Sequence, residues 1–308
     1  MKNSPNIILA TDYSEAAMNA ERFALQFAKA TGSDLCLIHA YEIPLSSIPN
    51  NAHAFAKVRL EQHNYAQKTL EQHCSKLFHS LGIRENEVQT ECIVKEGHAA
   101  SEIRKEATKR DASFIIVGTH GSSGLKNIVY GTQAWEIIKK SGRPVIAIPA
   151  EGIFSGLKNI VFAMERRKGE IVALQSLIQL LKPFEPEITM LYIADYIPSK
   201  EFKAKEKIKF QTTIKNRLGY EKLYLKIVYH SDIMQGIADF CFEKKVDMLV
   251  MSPEKTGLLD KIMSPSISLT KRMSFQTRVP LLCIPDYYVI HASKIPEHFD
   301  LNELYIEE

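Results

Sequence analysis

The chain has 308 residues, 45% hydrophobic and 24% charged, enough to bury a sizeable core and too apolar for a disordered tail. With 39 basic against 36 acidic side chains the formal charge is +3, a balance that makes no electrostatic case for nucleic acid or an anionic membrane as partner. At roughly 150 residues per domain, two domains are expected. The cysteines (Cys36, Cys74, Cys92, Cys241, Cys283) are scattered with no CxxC step and read as reduced thiols. The apolar run before Asp12 is too short for a signal peptide, and no later run approaches the ~20 residues of a membrane span. A soluble cytoplasmic protein is the expectation.

The elements follow in order. Asn6–Ala10 is a β-branched apolar run that stops at the turn cluster Thr11-Asp12-Tyr13-Ser14. Residues 15–30 then place Ala16, Ala20, Phe23, Ala24, Phe27 and Ala28 at helical spacing, and Gly32 closes that helix. Leu35–Ala40 is a second strand, residues 52–81 a long polar helix ending at Gly82, and Val88–Val94 a loosely alternating third strand. His98–Thr108 fits a helix, Phe114–Val117 a fourth strand, Gln133–Lys140 a helix and Val145–Ile148 a fifth strand. Strands alternating with helices predict parallel crossovers, with helices on both faces of the sheet.

The second half repeats this order. Asn159–Ala163 matches the first strand, Ile188–Ile193 the second, Tyr224–Tyr229 the third and Met248–Met251 the fourth. Val279-Pro280-Leu281-Leu282-Cys283-Ile284-Pro285 tracks Arg143-Pro144-Val145-Ile146-Ala147-Ile148-Pro149. The reading is α/β: two doubly wound, parallel, five-stranded domains of Rossmann-like order 3-2-1-4-5 in tandem. They would span residues 1–150 and 151–286, with an acidic tail over 287–308.

The chemistry concentrates after the fourth strand, in Gly118-Thr119-His120-Gly121-Ser122-Ser123-Gly124, and at Gly131-Thr132, where the next helix opens. Glycines at a strand's carboxyl end let a ligand approach the backbone. A helix start offers unpaired N–H groups and the positive end of the dipole, and the Thr132 hydroxyl adds a donor. Together they describe a phosphate cradle. It is no Walker A loop, since no Gly-Lys step occurs in the chain, and the first turn lacks G-x-G-x-x-G. In strand order 3-2-1-4-5, Asp12 and Gly118 face one crevice at the switch point, where a carboxylate can accept hydrogen bonds from ribose hydroxyls or an adenine amine.

On Ala10-Thr11-Asp12-Tyr13-Ser14-Glu15 and the pattern Gly-x2-Gly-x9-Gly-Ser/Thr, met by Gly118, Gly121, Gly131 and Thr132, the chain resembles a tandem member of the universal stress protein family. That resemblance implies ATP as ligand, usually with a divalent cation such as Mg²⁺. It implies a base and ribose contact from Asp12, adenine against the backbone of Ala40, ribose along Gly118, and phosphates on Gly121, Gly131 and Thr132. Ser122, Ser123 and Lys126 lie close enough in sequence to add phosphate contacts. It further implies an intramolecular pseudo-dimer through the fifth strands, Val145–Ile148 with Leu281–Ile284, and leaves a homodimer open. The second half departs from the pattern: Met251, Glu254, Ser264 and Pro265 stand at the signature positions and Glu165 at that of Asp12, which reads as a degenerate scaffold.

Other residues have plainer readings. Asp12-x-x-Glu15 alternatively reads as a helix cap. His120 has neither a paired carboxylate nor a nucleophile beside it and reads as a loop histidine. His63, His73 and His79 fall on different faces of one helix and read as no metal site. Trp135 reads as core, and Arg166-Arg167-Lys168 as a solvated turn. The function expected is a stress-response regulator that binds a nucleotide and is not an enzyme. A slow ATPase or phosphotransferase and a nucleotide-independent interaction module are the alternatives.

Overall fold

A computed structural model describes residues 6–44, 51–119, 132–165, 170–197, 199–252, 279–285 and 288. They form two compact units that part between Phe154 and Ser155. Of the tail over 287–308, only Tyr288 is among the described residues.

The first unit runs β1 (Asn6–Thr11), α1 (Glu15–Thr31), β2 (Asp34–Tyr41), α2 (Ala52–Leu81), β3 (Thr90–Glu96), α3 (Ala99–Lys109), β4 (Phe114–Gly118), α4 (Thr132–Lys140) and β5 (Val145–Ile148). Its strands lie in the order β3-β2-β1-β4-β5, every pair parallel. β1 sits in the middle, and Ile7, Ile8 and Leu9 are wholly buried because helices cover both faces. That is why the central strands read as continuous apolar runs and the edge strand β3, where only Val94 is buried, as a loose alternation. β3 lies two residues beyond its expected place. Its register against β2, from Leu35↔Thr90 to Tyr41↔Glu96, starts only after the short helical turn Glu85–Glu87.

The helices begin and end as their termini require. Ser14 caps α1, its Oγ accepting from Ala17 N, and Gly32 closes it in the left-handed conformation. The cap is thus Ser14 rather than Asp12, whose Oδ1 instead accepts from Ser14 N at 3.0 Å. α2 buries only Leu70, Cys74, Leu77 and Phe78, so its second half packs and its first half is largely solvated. Trp135 is buried, as a core residue should be.

The second unit holds β6 (Asn159–Ala163), α5 (Glu170–Leu180), β7 (Glu187–Ala194), α6 (Lys200–Lys209), a π-helical turn (Phe210–Lys215), α7 (Asn216–Leu218), β8 (Leu223–Tyr229), α8 (Ile233–Glu243), β9 (Met248–Met251) and β10 (Leu281–Cys283). Its strands are parallel in the order β8-β7-β6-β9-β10, the same topology. The registers repeat as well: Asn6↔Asp34 in the first unit corresponds to Asn159↔Glu187 in the second.

An aromatic cluster joins α1 of the first unit to its sheet. Phe27 is wholly buried, with its ring 6.0 Å from Phe23, 5.3 Å from Phe114 and 5.9 Å from Phe154. Phe27→Ala should cost about 3–5 kcal/mol, the range for truncating a buried aromatic ring. Denaturant unfolding followed by fluorescence of Trp135, the chain's one tryptophan, measures it.

Candidate functional site

The carboxyl ends of β1, β2 and β4 define the crevice. β1 is paired to β2 through Thr11↔His39 and to β4 through Leu9↔Ile116. Asp12 and Ala40 each follow directly on a residue of the Thr11↔His39 pair, and Gly118 ends β4 on the other side of β1. Because the chain crosses from β1 to β2 on one side and β4 joins on the other, this is the topological switch point, where open α/β sheets bind ligands. The fold therefore brings Asp12, Ala40 and Gly118 together. Gly121 and Gly131 lie outside the described residues, as do His120, Ser122, Ser123 and Lys126. Of Thr132, its place as the first residue of α4 is described.

Gly118 has a packing reason to be glycine. A Cβ there would stand 2.7 Å from Ala16 O, 2.8 Å from Ala16 C and 3.0 Å from Ala17 N, all backbone of the first turn of α1. Any side chain would push the start of that helix off the sheet. On the same side of β1, beyond β4, Asn19 Nδ2 donates to Pro149 O and Gly152 O, both at 2.8 Å, and fastens α1 to the exit from β5.

The turn carrying Asp12 is held by a cluster that the sequence reading did not find. Tyr13 has φ +63°, the left-handed region that a bulky residue adopts only under constraint. Tyr13 N donates to Thr11 Oγ1 at 3.0 Å, and Thr11 Oγ1 donates to Glu21 Oε1 at 2.5 Å. The other carboxylate oxygen, Oε2, accepts from His73 Nε2 at 2.7 Å. His39 Nδ1 donates to Thr11 O at 2.9 Å. The Tyr13 ring lies 4.5 Å from that of His39 and meets His73 edge-on at 5.1 Å. Glu21 is wholly buried, and Tyr13 Oη is buried with no hydrogen-bond partner among the described residues. Burial, with the charge of Glu21 next, pushes the Tyr13 phenol up to about 12, so it stays neutral.

A signal for this cluster was present. Glu21 falls on the buried stripe of α1 with Ala17, Ala24 and Ala28, and His73 on that of α2 with Leu70, Cys74 and Leu77. A carboxylate and an imidazole on two buried stripes require partners.

The second unit lacks these features. In the repeat register Leu174 stands at the place of Glu21, Tyr192 at His39 and Ile193 at Ala40. Met251, expected from the sequence to stand at Gly118, falls instead at the place of Val117, and the buried Ser252, whose Oγ donates to Ile284 O at 2.9 Å, takes the place of Gly118. Glu165, opposite Asp12, donates its backbone N–H to Glu170 Oε1 at 2.6 Å. Glu254, Ser264 and Pro265 lie outside the described residues, as does the run Arg166-Arg167-Lys168.

A doubly wound α/β domain with its site at the β1–β4 switch point is thus the class of protein that fold and geometry define. The profile of the Universal stress protein family matches residues 4–149, and this half of the chain belongs to that family. A universal stress protein of Methanocaldococcus jannaschii is 27% identical over 145 residues, 46% of this chain and 80% of the relative. Universal stress protein YxiE of Bacillus subtilis is 28% identical over 149 residues, 46% of this chain and 97% of the relative. Over both units the chain resembles the crystal structure of a universal stress protein from Archaeoglobus fulgidus, with TM-score 0.66 at 16% identity. That likeness covers 92% of this chain and 99% of the other, and it is one of fold.

Gly118→Ala should lower the stability of the first unit by about 1–3 kcal/mol, the usual cost of overpacking a tight contact. Thermal unfolding followed through Trp135 reads it; an unchanged midpoint would mean that α1 yields without cost.

Proposed function

We propose that this chain is a stress-response regulator that binds an adenine nucleotide, ATP with a divalent cation, at the switch point of its first unit. The observation that carries the reading is the meeting of Asp12, Ala40 and Gly118 at the ends of three adjacent strands, immediately before the glycine signature. Asp12 would accept hydrogen bonds from the ribose or the adenine amine, and the backbone of Ala40 would line the base. Gly121, Gly131 and Thr132 would hold the phosphates, with the dipole of α4 favouring their charge. The cation would ride on those phosphates and supply charge neutralisation.

The second unit serves as a scaffold without nucleotide. The buried Ser252 in place of Gly118 and Leu174 in place of Glu21 support this, since neither the glycine at the strand end nor the carboxylate beneath the turn is kept. The chain acts by conformation or assembly rather than by turnover, in the cytoplasm. Phosphoryl transfer needs a group that positions the nucleophile, and beyond Thr119, His120 and the loop serines no residue near the signature offers one. Among the described residues no helix is long and apolar enough to cross a membrane.

Mass spectrometry of small molecules released from freshly purified, denatured protein, with ATP–Mg²⁺ calorimetry on the emptied chain, tests the reading. About one nucleotide per chain is expected, as for a single working cradle. Gly131→Glu and Gly121→Asp should abolish binding while the unfolding transition is retained. A folded variant that still binds would displace the cradle, and two nucleotides per chain would overturn the scaffold role of the second unit.

A further inference from the structure

We infer that the Glu21–His73 pair is a proton-dependent clamp on the turn bearing Asp12, so that the first unit holds an adenine nucleotide more tightly when His73 is protonated. The inference rests on the nucleotide reading above and names a regulation of that same site.

Three elements meet in the clamp. Glu21 comes from α1 with 1% of its side chain exposed, His73 from α2 with 21%, and Thr11 from the end of β1. Both carboxylate oxygens are engaged, one by the Thr11 hydroxyl and one by His73 Nε2. Thr11 in turn holds Tyr13 N, so the residues on either side of Asp12 are tied to one buried carboxylate. The Tyr13 ring, packed on His73, adds a second link from α2 to the same turn. His73 therefore touches no ligand position itself. It is a positioning residue, acting on Asp12 through Glu21, Thr11 and Tyr13.

The charge logic has one sign. His73 is faced by Glu21 from α1 and by Tyr13 from the turn. Cys74 and Lys76 flank it on α2, while His39 on β2 and Cys92 on β3 reach it by way of Tyr13. Its imidazole is held above the usual histidine range chiefly by the hydrogen bond to Glu21, against the opposing effect of burial. As pH rises through that raised value the positive charge is lost. A charge-assisted bond becomes a neutral donor on a carboxylate, and the negative charge of Glu21 beneath the turn is left uncompensated. A looser turn and an uncovered anion both disfavour an anionic nucleotide, so affinity falls with rising pH.

The test is calorimetry with ATP–Mg²⁺ from about pH 6 to about pH 9 on the wild-type chain and on His73→Gln, whose amide can donate to Glu21 but does not titrate. The wild-type affinity, taken relative to His73→Gln, should weaken roughly fivefold across that range, at the low end of usual coupling strengths. Parallel profiles in the two proteins would overturn the clamp, because the pH dependence would then arise outside His73. A wild-type chain that binds no nucleotide at any pH would instead overturn the site itself, and the clamp with it. A second measurement needs no variant. By reciprocity, saturating ATP–Mg²⁺ should raise the titration midpoint of His73 seen by NMR, and an unmoved midpoint would refute the coupling.

Discussion

Strand β1 is hydrogen-bonded to β2 on one side and β4 on the other, and the first unit is organised around that double pairing. With helices on both faces, Ile7, Ile8 and Leu9 have no exposed surface, so the register of β1 cannot slip without moving the whole apolar set. Fixing β1 fixes where its chain leaves the sheet. That exit carries Thr11, Asp12 and Tyr13, and it lies between the ends of β2 and β4, which carry Ala40 and Gly118. The crevice is therefore a consequence of strand order, and its residues need only be of the right kind at the positions that order exposes.

The turn at that exit is not relaxed. A tyrosine with φ +63° costs on the order of 1–2 kcal/mol over an ordinary conformation, and a buried carboxylate without partners would cost several more. The two liabilities offset one another. Glu21 is satisfied by Thr11 and His73, and Thr11 then accepts from the backbone of the strained residue. Such a network is favourable only when every member is in place, which makes it stiff and makes Asp12 well positioned. It also means that α2, half of which is solvated, is coupled to the site through the half that packs.

Strand order, the tandem repeat and the limits of most strands and of the first unit's helices were legible in the sequence, because two-sided burial leaves uninterrupted runs such as Ile7–Leu9 and Val145–Ile148. β3 was misplaced by two residues since an edge strand has weak periodicity and takes its register from β2. Asp12, Ala40 and Gly118 could be found because they follow directly on strand ends. Glu21 and His73 were missed for the opposite reason: they lie 52 residues apart, and only the crossing of α1 and α2 brings them together. The capping role also went to the wrong residue, because Asp12 and Ser14 are both good caps and the choice depends on where β1 releases the chain. Gly118 was read as a ligand approach, whereas the backbone of α1 already demands a glycine there.

The second unit separates fold from site. It keeps the strand order and the registers of the first, with β6 and β7 paired as β1 and β2 are. These features depend only on apolar strands of matching length, and NIVFA serves as well as NIILA. What differs is the residues at the candidate site: Leu174 needs no partner where Glu21 needs two, and Ser252 stands where Gly118 does. A buried leucine in place of a buried carboxylate removes the need for an imidazole on the next helix, so the element after β7 is released from that constraint. It is there that the second unit departs from the first: α6, the π-helical stretch Phe210–Lys215 and α7 follow one another without interruption over residues 200–218, where the first unit has the regular 30-residue helix α2. The Glu21–His73 pair thus belongs to the first unit, while the strand order and registers that both units share do not depend on it.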